Sequence, residues 1–495
     1  MKLGWIAPLV AAAMALPLLS SDDARACGGC FVSQSESTVV TGHRMAVSVS
    51  PTQSVLWDQI RYSGDPKEFA WVLPIKPGAR IELAADAWFE ALDGATTVQI
   101  ASPQLSCGGS GSGCGSFGAA SDEDSGGLAA RGKDVTVVHE GTVGPYETVT
   151  LATDKAGALN TWLDEHGYGV DESTQPVIDA YVAEGFDFIA LRLLPTSGVK
   201  DMKPVRVVTV GASPTLPLRM VAAGTGPEVS VILFVIGEGR WAAKNFANPS
   251  LPRDLLAWDF ETQSSNYAEL RKAVLASHDG ASFMTPYAQK GTLLSPFAGD
   301  GGFFGRQYVT SSGAPTETIG AAFVQQALDN GETTDTSCLA GMTGVANSAS
   351  LVVDPCPAGA KPTDPACGMA GGTDIDRRSL MCGQQDQVPL DDLAVALTGM
   401  HPKDVWVTRL EANLPHAALA QDLELEPAAH QDPVDNQLRA RASIHPDAAC
   451  PSGVMPIVGP ERGGRDRGLY LGVALMGLAM AAALTRRRGW ALARR

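Results

Sequence analysis

Three runs rich in Val, Ile, Trp, Phe and Tyr follow one another between residues 39 and 75, and they constrain the fold more than any other stretch. They cover residues 39–49, 54–62 and 68–75. The segments 50–52 and 63–66 separate them, and both contain the Ser and Pro typical of turns. The pattern predicts an antiparallel meander of three strands. In the second run neither alternating set is wholly apolar, so the sequence does not indicate which face is buried.

Helices and strands are mixed along the rest of the chain. Helices are predicted over 84–94, 155–166, 175–184 and 270–276. Further strands are predicted over 98–100, 135–139, 146–152, 186–194, 205–210, 218–222, 229–236, 405–410 and 423–425. The run 229–236 is apolar on both faces, which is typical of a central strand.

Both ends of the chain carry membrane-related signals. Lys2, the apolar run 5–19 and Ala24-Arg25-Ala26 before Cys27 predict a cleaved secretory signal peptide. Near the other end, 468–484 is apolar and uncharged, and Arg486-Arg487-Arg488 follows. This pattern predicts a single-pass transmembrane helix with the body extracytoplasmic and the Arg tail cytoplasmic. The same tail resembles bacterial sorting signals that a membrane protease removes, so the predicted location is the cell membrane or cell surface, anchored or released.

The predicted fold class is α+β. It has largely antiparallel sheets with a few packed helices, a disulfide-clipped irregular insertion and one C-terminal transmembrane helix. The expected parts are a signal peptide (1–26), an extracytoplasmic core (27–276), a Gly/Ala/Cys-rich insertion (277–402), strands that return to the core (403–426), a Pro/Ala/Asp linker (427–467), the transmembrane helix (468–485) and a cytoplasmic tail (486–495).

The charge of the chain argues against one class of partner. The formal net charge is −17, and the tail from residue 462 carries eight Arg and one Asp, so the body is more acidic still. An acidic body repels phosphate backbones, and nucleic acid is therefore excluded as a partner. The expected partners are membrane lipid, through the C-terminal helix, and an unidentified protein or envelope component.

All nine cysteines lie after the predicted signal peptide. Eight are disulfide candidates and Cys450 is the expected unpaired thiol; the eight are Cys27, Cys30, Cys107, Cys114, Cys338, Cys356, Cys367 and Cys382. Cys27-x-x-Cys30 suits either a redox pair or half a metal site. No helix pattern follows it, so a structural disulfide is favoured. Cys107 and Cys114 are expected to clip a Gly-rich loop, and the last four candidates allow three pairings.

Other chemical motifs are incomplete. His139-Glu140 starts a zinc-protease pattern, but Val143 occupies the position of the second histidine. No G-x-S-x-G elbow is present, and Asp364, Asp374 and Asp376 lack the spacing of a calcium loop. The remaining histidines are few and scattered, and structural or surface roles are expected for them. The sequence therefore indicates no cofactor or metal ligands.

Four tryptophans offer either a carbohydrate-binding platform or a packed core; they are Trp57, Trp71, Trp88 and Trp162. Trp88 and Trp162 lie on the apolar faces of predicted helices. Core packing is therefore the expected role.

Several segments together resemble a bacterial secreted family of unknown function, domain-of-unknown-function family 2330. They are Cys27-Gly28-Gly29-Cys30-Phe31, the run Gly64-Asp65-Pro66-Lys67-Glu68-Phe69-Ala70-Trp71-Val72-Leu73-Pro74, Trp162-Leu163 with His166-Gly167-Tyr168, the runs 181–186, Pro217-Leu218-Arg219 and 222–229, and Val407-Thr408-Arg409-Leu410. The resemblance covers about 27–240 and 403–426. It implies an extracytoplasmic protein, often with a C-terminal membrane helix, and it implies no activity.

The favoured functional hypothesis is a membrane-anchored surface protein, a non-enzymatic envelope or adhesion protein. The alternative is an extracytoplasmic enzyme with thiol-redox chemistry through Cys27 and Cys30. A third hypothesis is a protein that helps to assemble or secrete others.

Overall fold

The computed structural model of the chain describes a defined set of segments: residues 30–32, 39–63, 69–103, 106–107, 139–152, 157–168, 170, 174–194, 202–222, 225–293, 318–336, 390–400, 404–444 and 456–457. Within them the strands are, in chain order, β1 (Cys30–Val32), β2 (Val39–Val49), β3 (Gln53–Ser63), β4 (Phe69–Ile75), β5 (Arg80–Leu83), β6 (Gln99–Ala101), β7 (Ser106–Cys107), β8 (His139–Val143), β9 (Tyr146–Leu151), β10 (Asp187–Leu193), β11 (Val205–Val210), β12 (Thr215–Leu216), β13 (Thr225–Glu238), β14 (Trp241–Ala243), β15 (Ala257–Asp259), β16 (Ser264–Ser265), β17 (Met284–Lys290), β18 (Val405–Pro415), β19 (Leu423–Pro427), β20 (Gln437–Arg439), β21 (Arg441–Ile444) and β22 (Pro456–Ile457).

The α-helices of the same segments are α1 (Asp86–Thr96), α2 (Ala158–Glu165), α3 (Gln175–Ala183), α4 (Leu218–Ala222), α5 (Tyr267–Leu275), α6 (Ile319–Asp329) and α7 (Asp392–Leu397). Short 3₁₀ helices cover Arg253–Leu255, His278–Gly280 and His416–Ala420. The chain divides into two compact units. The larger contains the described residues up to 101, from 139 to 253 and from 267 to 438, and the smaller contains 102–107, 254–266 and those from 439 onward.

A seven-stranded sheet, called the large sheet below, forms the centre of the larger unit. Its strand order is β17-β18-β13-β2-β3-β11-β5. Neighbouring strands are antiparallel except β13 and β2, which are parallel. Strand β13 lies between two long neighbours, and its side chains from Val231 to Ile236 are buried on both faces. The prediction of a central strand over 229–236 is therefore confirmed.

A second sheet of five antiparallel strands, the small sheet, has the order β1-β4-β10-β9-β8. The predicted hairpin of β2 and β3 is present, with a backbone bond from Ser50 N–H to the Gln53 carbonyl at its turn. The third strand of the predicted meander is misplaced, because β4 pairs with β1 and β10 instead of β3. Crossing to the second sheet allows Trp71 and Leu73 to pack onto Ile60 of β3.

Four layers result within the larger unit. Helices α1, α6 and α7 cover one face of the large sheet, where Trp88 packs against both Trp57 and Phe323. The other face packs partly on the small sheet, whose outer face is covered by α2 and α3. Truncating a buried core aromatic such as Trp88 to alanine typically costs about 3–5 kcal/mol.

The smaller unit contains two short sheets among its described residues. Strand β15 pairs antiparallel with β16 and parallel with β21. Strand β22 pairs antiparallel with β7.

The predicted fold class is wrong, because the described chain is mixed α/β with several sheets. Within 277–402, the range predicted as an irregular insertion, β17, α6 and α7 bury Tyr287, Phe323 and Leu393 in the core. The sequence did not indicate these three elements because their apolar runs are short and are separated by Gly- and Ala-rich stretches. No disulfide occurs among the described residues. The segment 218–222, predicted as a strand, is helix α4, since a short apolar run does not distinguish the two structures.

The predicted fold class included a C-terminal transmembrane helix, and this part of the prediction is corrected as well. Its residues, 468–485, lie outside the described segments, as does the predicted signal peptide, 1–26. Among the residues that are described, none of the helices has the length and apolar character to cross a bilayer.

Candidate functional site

A buried histidine and a buried aspartate meet on the face of the large sheet that packs toward the small sheet. In the β2–β3 hairpin His43 pairs with Ile60 and Met45 pairs with Asp58, so His43 and Asp58 are diagonal neighbours on one face. His43 Nδ1 lies 3.0 Å from Oδ1 and 3.1 Å from Oδ2 of Asp58. Each residue is only 2% exposed.

The hairpin approaches β13 closely beside this pair. A Cβ atom on Gly42 would lie 2.8 Å from the carbonyl oxygen of Ser230 on β13. Real Cβ atoms do not come that close, so glycine at this position allows the two strands to pair next to His43.

The pairing determines the hydrogen-bonding role of the histidine. A carboxylate only accepts hydrogen bonds, so Nδ1–H of His43 donates to Asp58. In the neutral ring Nε2 is then an acceptor. This Nε2 atom is buried and has no hydrogen-bond partner in the described part of the chain. A buried polar atom without a partner is uncommon in native proteins and costs free energy.

The His43–Asp58 pair lines a small cavity, called the inner cavity below. Its walls come from both sheets and from the segment 216–221, and include Leu56, Trp71 and Leu218. Its volume is about 20 Å³. About 10–15 Å³ is enough for one water molecule, so the inner cavity holds a single water or the tip of a larger molecule.

A second cavity of about 60 Å³, the outer cavity, adjoins the inner one. The two share the side chains of Leu56, Leu73 and Leu216. The outer cavity is lined further by Phe186 and by Lys76, whose Nζ atom lies 3.7 Å from the centroid of the Phe186 ring. We call the two cavities together the inter-sheet cleft. It is lined mostly by apolar side chains, and the His43–Asp58 pair lies in the wall of the inner cavity.

A polar cluster holds the wall of this cleft in place. Asp422, which lines the outer cavity, accepts hydrogen bonds from the hydroxyl of Tyr181 at 2.5 Å and from Nη2 of Arg219 at 2.7 Å. The Arg219 guanidinium also lies 4.3 Å from the Tyr181 ring centroid. Burial, and then the Asp422 carboxylate, raise the pKa of Tyr181, so its hydroxyl remains a donor. The cluster ties α3 and α4 together.

A second buried polar cluster lies on the opposite face of the large sheet, around Arg206. Its guanidinium, 0% exposed, contacts Asp391, Asp392 and Glu82 at 2.7 Å each. Asp392 also accepts from Trp57 Nε1 at 2.7 Å. Burial opposes the charge on Arg206, but the carboxylates raise its pKa above the ordinary value. These groups satisfy one another, and the cluster therefore joins α7 to the sheet.

The chemistry available at the inter-sheet cleft is hydrogen-bond acceptance. A histidine held by a carboxylate is also the base of hydrolytic triads, where it contacts a hydroxyl or thiol nucleophile. Among the described residues Nε2 of His43 contacts neither. The described residues also contain no group of three or more His, Cys, Asp and Glu side chains placed to hold a metal ion. The arrangement therefore suits recognition of a donor group on a ligand.

Most of the cysteines singled out from the sequence lie outside the described segments: Cys27, Cys114, Cys338, Cys356, Cys367, Cys382 and Cys450. Cys30 begins β1, at the edge of the small sheet, and Cys107 ends β7. Thioredoxin-type pairs begin a helix, where the helix dipole lowers the thiol pKa, whereas Cys30 begins a strand. The disulfide assignments stay predictions. Core packing is confirmed for all four tryptophans, Trp57, Trp71, Trp88 and Trp162, each of which is buried.

Sequence reasoning missed His43 and Asp58, although a usable signal was present. The turn at 50–52 sets the register of the β2–β3 hairpin, and that register puts the two side chains on one face. A histidine and an aspartate on the same face of a strand pair rich in apolar residues indicate a buried pair. What the sequence lacked was the covering layer, which comes from β4 and the segment 216–221.

The fold and the site together define a mixed α/β protein with a small apolar cleft between two packed sheets. The chain belongs to domain-of-unknown-function family 2330, described as an uncharacterized protein conserved in bacteria, whose model matches residues 22–303, more than half of the chain. The resemblance stated from the sequence is thus confirmed. Neither the comparison with curated proteins nor that with solved structures finds a similar chain. Two segments that carry the resemblance, 71–74 and 217–218, line the inter-sheet cleft.

Proposed function

We propose that this protein is a non-enzymatic binding protein that takes a small, largely apolar molecule into the inter-sheet cleft. The ligand carries one hydroxyl or N–H group, which donates to Nε2 of His43. The observation that carries the proposal is that Nε2 is buried, oriented by Asp58 and without a partner among the described residues, at the inner end of an apolar cavity.

The character of the walls limits the ligand class. Leu56, Leu73 and Leu216 line both cavities, so most of the ligand surface must be apolar. Two serines, Ser54 and Ser213, line the outer cavity, and the Ser54 hydroxyl is already satisfied, since its Oγ donates to the Gly211 carbonyl and accepts from Ser213 N–H. Nε2 of His43 is the buried acceptor of the cleft that has no hydrogen-bond partner among the described residues, and we therefore assign the specificity of the cleft to it.

The proposed place of action is outside the cytoplasm. The apolar run 5–19 and the Ala24-Arg25-Ala26 pattern support this location, as do the cysteine pairs expected to form disulfides. A surface or envelope protein that binds a small molecule keeps the non-enzymatic class favoured from the sequence.

Phenol and benzene test the proposal as matched probes, because only phenol carries a hydroxyl donor. Titration calorimetry on the full chain measures both affinities. One hydrogen bond contributes about 0.5–1.5 kcal/mol, so phenol should bind roughly 2- to 10-fold more tightly than benzene. In His43→Phe the two probes should bind alike. NMR of ¹⁵N-labelled histidine should show that phenol, unlike benzene, shifts the Nε2 resonance of His43.

A blocked cleft supplies the second arm of the test. Thr215 lines the outer cavity and is exposed, so Thr215→Trp should abolish phenol binding with little effect on folding. Thr142→Trp places the same side chain on an exposed strand position outside the cleft and should bind phenol normally. Equal affinity of the wild-type chain for both probes, or no binding of either at millimolar concentration, would overturn the proposal.

A further inference from the structure

A third cavity, of about 200 Å³, lies elsewhere in the larger unit and shares no lining residue with the inter-sheet cleft. It is bounded by the start of β17, the loop 248–253 and the segment 434–438. Two arginines, Arg240 and Arg253, line it together with Tyr267. We call it the arginine cavity.

Arg240 is half-buried and Arg253 is exposed, and their partners differ from those of three buried or partly buried arginines of the described chain. Arg44, Arg206 and Arg409 each pair with a carboxylate at 2.8 Å or less. In contrast, Nη1 of Arg240 donates to the backbone carbonyl of Asp432 at 3.0 Å, and Nη2 of Arg253 donates to that of Asp435 at 3.2 Å. A carbonyl oxygen carries only a partial charge, so these contacts leave most of the positive charge of both groups uncompensated.

Arg240 also has an unused donor. Its Nε atom is buried and has no hydrogen-bond partner among the described residues. Burial lowers the pKa of Arg240, and the nearby Asp432 carboxylate offsets this only in part. The side chain would therefore gain from an anion that approaches through the cavity.

The other polar groups of the wall are compatible with an anion. Burial, and then the Glu411 carboxylate, raise the pKa of Tyr267 to about 12, so its hydroxyl stays protonated and can donate. Asp435 is the one acidic residue in the lining, and its Oδ1 accepts from the backbone N–H of Gln437 at 3.0 Å. The lining thus contains two guanidinium groups and one carboxylate that is already engaged, and the Asp432 carboxylate near Arg240 is not part of it.

The rest of the wall distinguishes among anions. Leu251, Met284, Pro286 and Leu438 supply apolar side chains, and they lie beside the polar side chains of Asn248, Ser250 and Thr285. A guanidinium binds a planar carboxylate through two parallel N–H···O bonds. The apolar side chains of the wall suit the body of an organic carboxylate, which inorganic phosphate does not have. We infer that the arginine cavity binds a small organic carboxylate with an apolar body, held by Arg240 and Arg253.

Benzoate and benzamide test this inference, because they have nearly the same shape and differ in charge. Calorimetric titration of the full chain at low salt should show benzoate binding at least 10-fold more tightly than benzamide. Hydrogen bonds to charged groups are strong enough that Arg240→Gln should weaken benzoate binding by about 10- to 100-fold. Arg253→Gln, at an exposed position, should weaken it by a smaller factor.

Three controls keep the outcome clear. Arg80→Gln removes an exposed charge from β5, at the opposite edge of the large sheet from β17, and should leave benzoate affinity unchanged. Arg240→Lys retains the charge and loses the planar fork, and should bind benzoate with intermediate affinity. Thr215→Trp should bind benzoate normally while losing phenol, so failure of the inter-sheet cleft and failure of the arginine cavity are distinguishable.

Several results would overturn the inference. One is equal affinity for benzoate and benzamide. Another is an Arg253→Gln variant that folds and binds benzoate like the wild-type chain. If inorganic phosphate displaces benzoate at equal concentration, the cavity is a general anion site, and the assignment to an organic carboxylate is wrong. If Arg240→Gln does not fold, Arg253→Gln and Arg240→Lys decide the question.

Discussion

The two faces of the β2–β3–β11 region of the large sheet bury polar groups in opposite ways. On the helix-covered face, Arg206 contacts three carboxylates, and two of them, Asp392 and Glu82, also accept hydrogen bonds from other donors. On the face toward the small sheet, His43 has one partner, Asp58, and its Nε2 atom has none. The strands are the same and consecutive residues supply the two faces, so the difference comes from what covers each one.

The two faces illustrate the difference between buried polar groups that stabilise the fold and buried polar groups that can bind a ligand. A buried charge whose hydrogen bonds are all internal holds elements together and offers nothing to a ligand. A buried acceptor left open at a cavity costs stability in the native state, and a ligand can supply what it lacks. The Arg206 cluster is thus a joint between α7 and the sheet, whereas the His43–Asp58 pair is a candidate binding group.

The largest effect on stability is expected from removing Arg206 from the polar cluster on the helix-covered face. Arg206→Met should lower the free energy of unfolding by about 3–5 kcal/mol, because it leaves buried carboxylates without their cation. Urea denaturation at pH 7 measures the change. Arg80→Gln is the matched control: Arg80 pairs with the same Glu82, but its side chain is 55% exposed. The control should cost less than about 1 kcal/mol. Similar losses in both variants would mean that burial does not distinguish the two arginines.

A pH-dependent effect is expected at the edge of the same face. Glu332, whose side chain is 5% exposed, accepts the backbone N–H groups of Asp86 and Ala87 at the start of α1. Burial, and then the Asp86 carboxylate, raise the pKa of Glu332 from 4.5 to about 7. The native state therefore holds this proton more tightly than the unfolded chain. Stability from this group is complete below pH 4.5 and is lost as the pH rises through 7.

Substitution of Glu332 tests this sign. Between pH 5 and pH 8 the wild-type chain should lose up to about 3 kcal/mol that Glu332→Gln does not lose. Chemical denaturation at the two pH values measures the difference. Glu184→Gln serves as control, because the hydrogen bond from Arg219 lowers the pKa of Glu184 and its titration lies below this window. A Glu332→Gln variant with the wild-type pH dependence would contradict the assignment.

A smaller effect on stability is expected from variants of the His43–Asp58 pair, on the face toward the small sheet. His43→Leu alone leaves Asp58 buried without its partner and should cost about 1–3 kcal/mol. The double variant His43→Leu/Asp58→Leu should come within about 1 kcal/mol of the wild type, since replacing both partners by apolar groups removes the unsatisfied acceptor as well. A double-mutant cycle measures this coupling. Additive losses would show that the two side chains are not energetically paired.

The sequence predicted local elements better than their assembly. The β2–β3 hairpin, the central strand β13 and the helices α1, α2, α3 and α5 all follow from periodicity and turn residues within short windows. The assignment of β4 to the meander failed because adjacent strands in a sequence can enter different sheets. The prediction of an irregular insertion over 277–402 failed because the three core elements in this range are short and separated by Gly- and Ala-rich stretches.

The candidate site shows the same division. The register of one hairpin brings His43 and Asp58 together, and the sequence determined that register through its turn. The cavity above them depends on β4 and on residues 216–221, which are distant along the chain. The start of α1 is likewise capped from far away, since Ala85 N–H donates to Asp392 and Asp86 N–H donates to Glu332.

The family, the β2–β3 hairpin and the alternation of side chains between the two faces of a strand follow from the amino-acid sequence. Which faces are covered, which buried polar groups are satisfied and where a cavity remains depend on the tertiary structure. The two kinds of feature differ in how far along the chain the interactions that determine them act. Backbone periodicity and turn chemistry act over a few residues, whereas burial and hydrogen-bond satisfaction depend on residues that folding brings together from positions hundreds of residues apart.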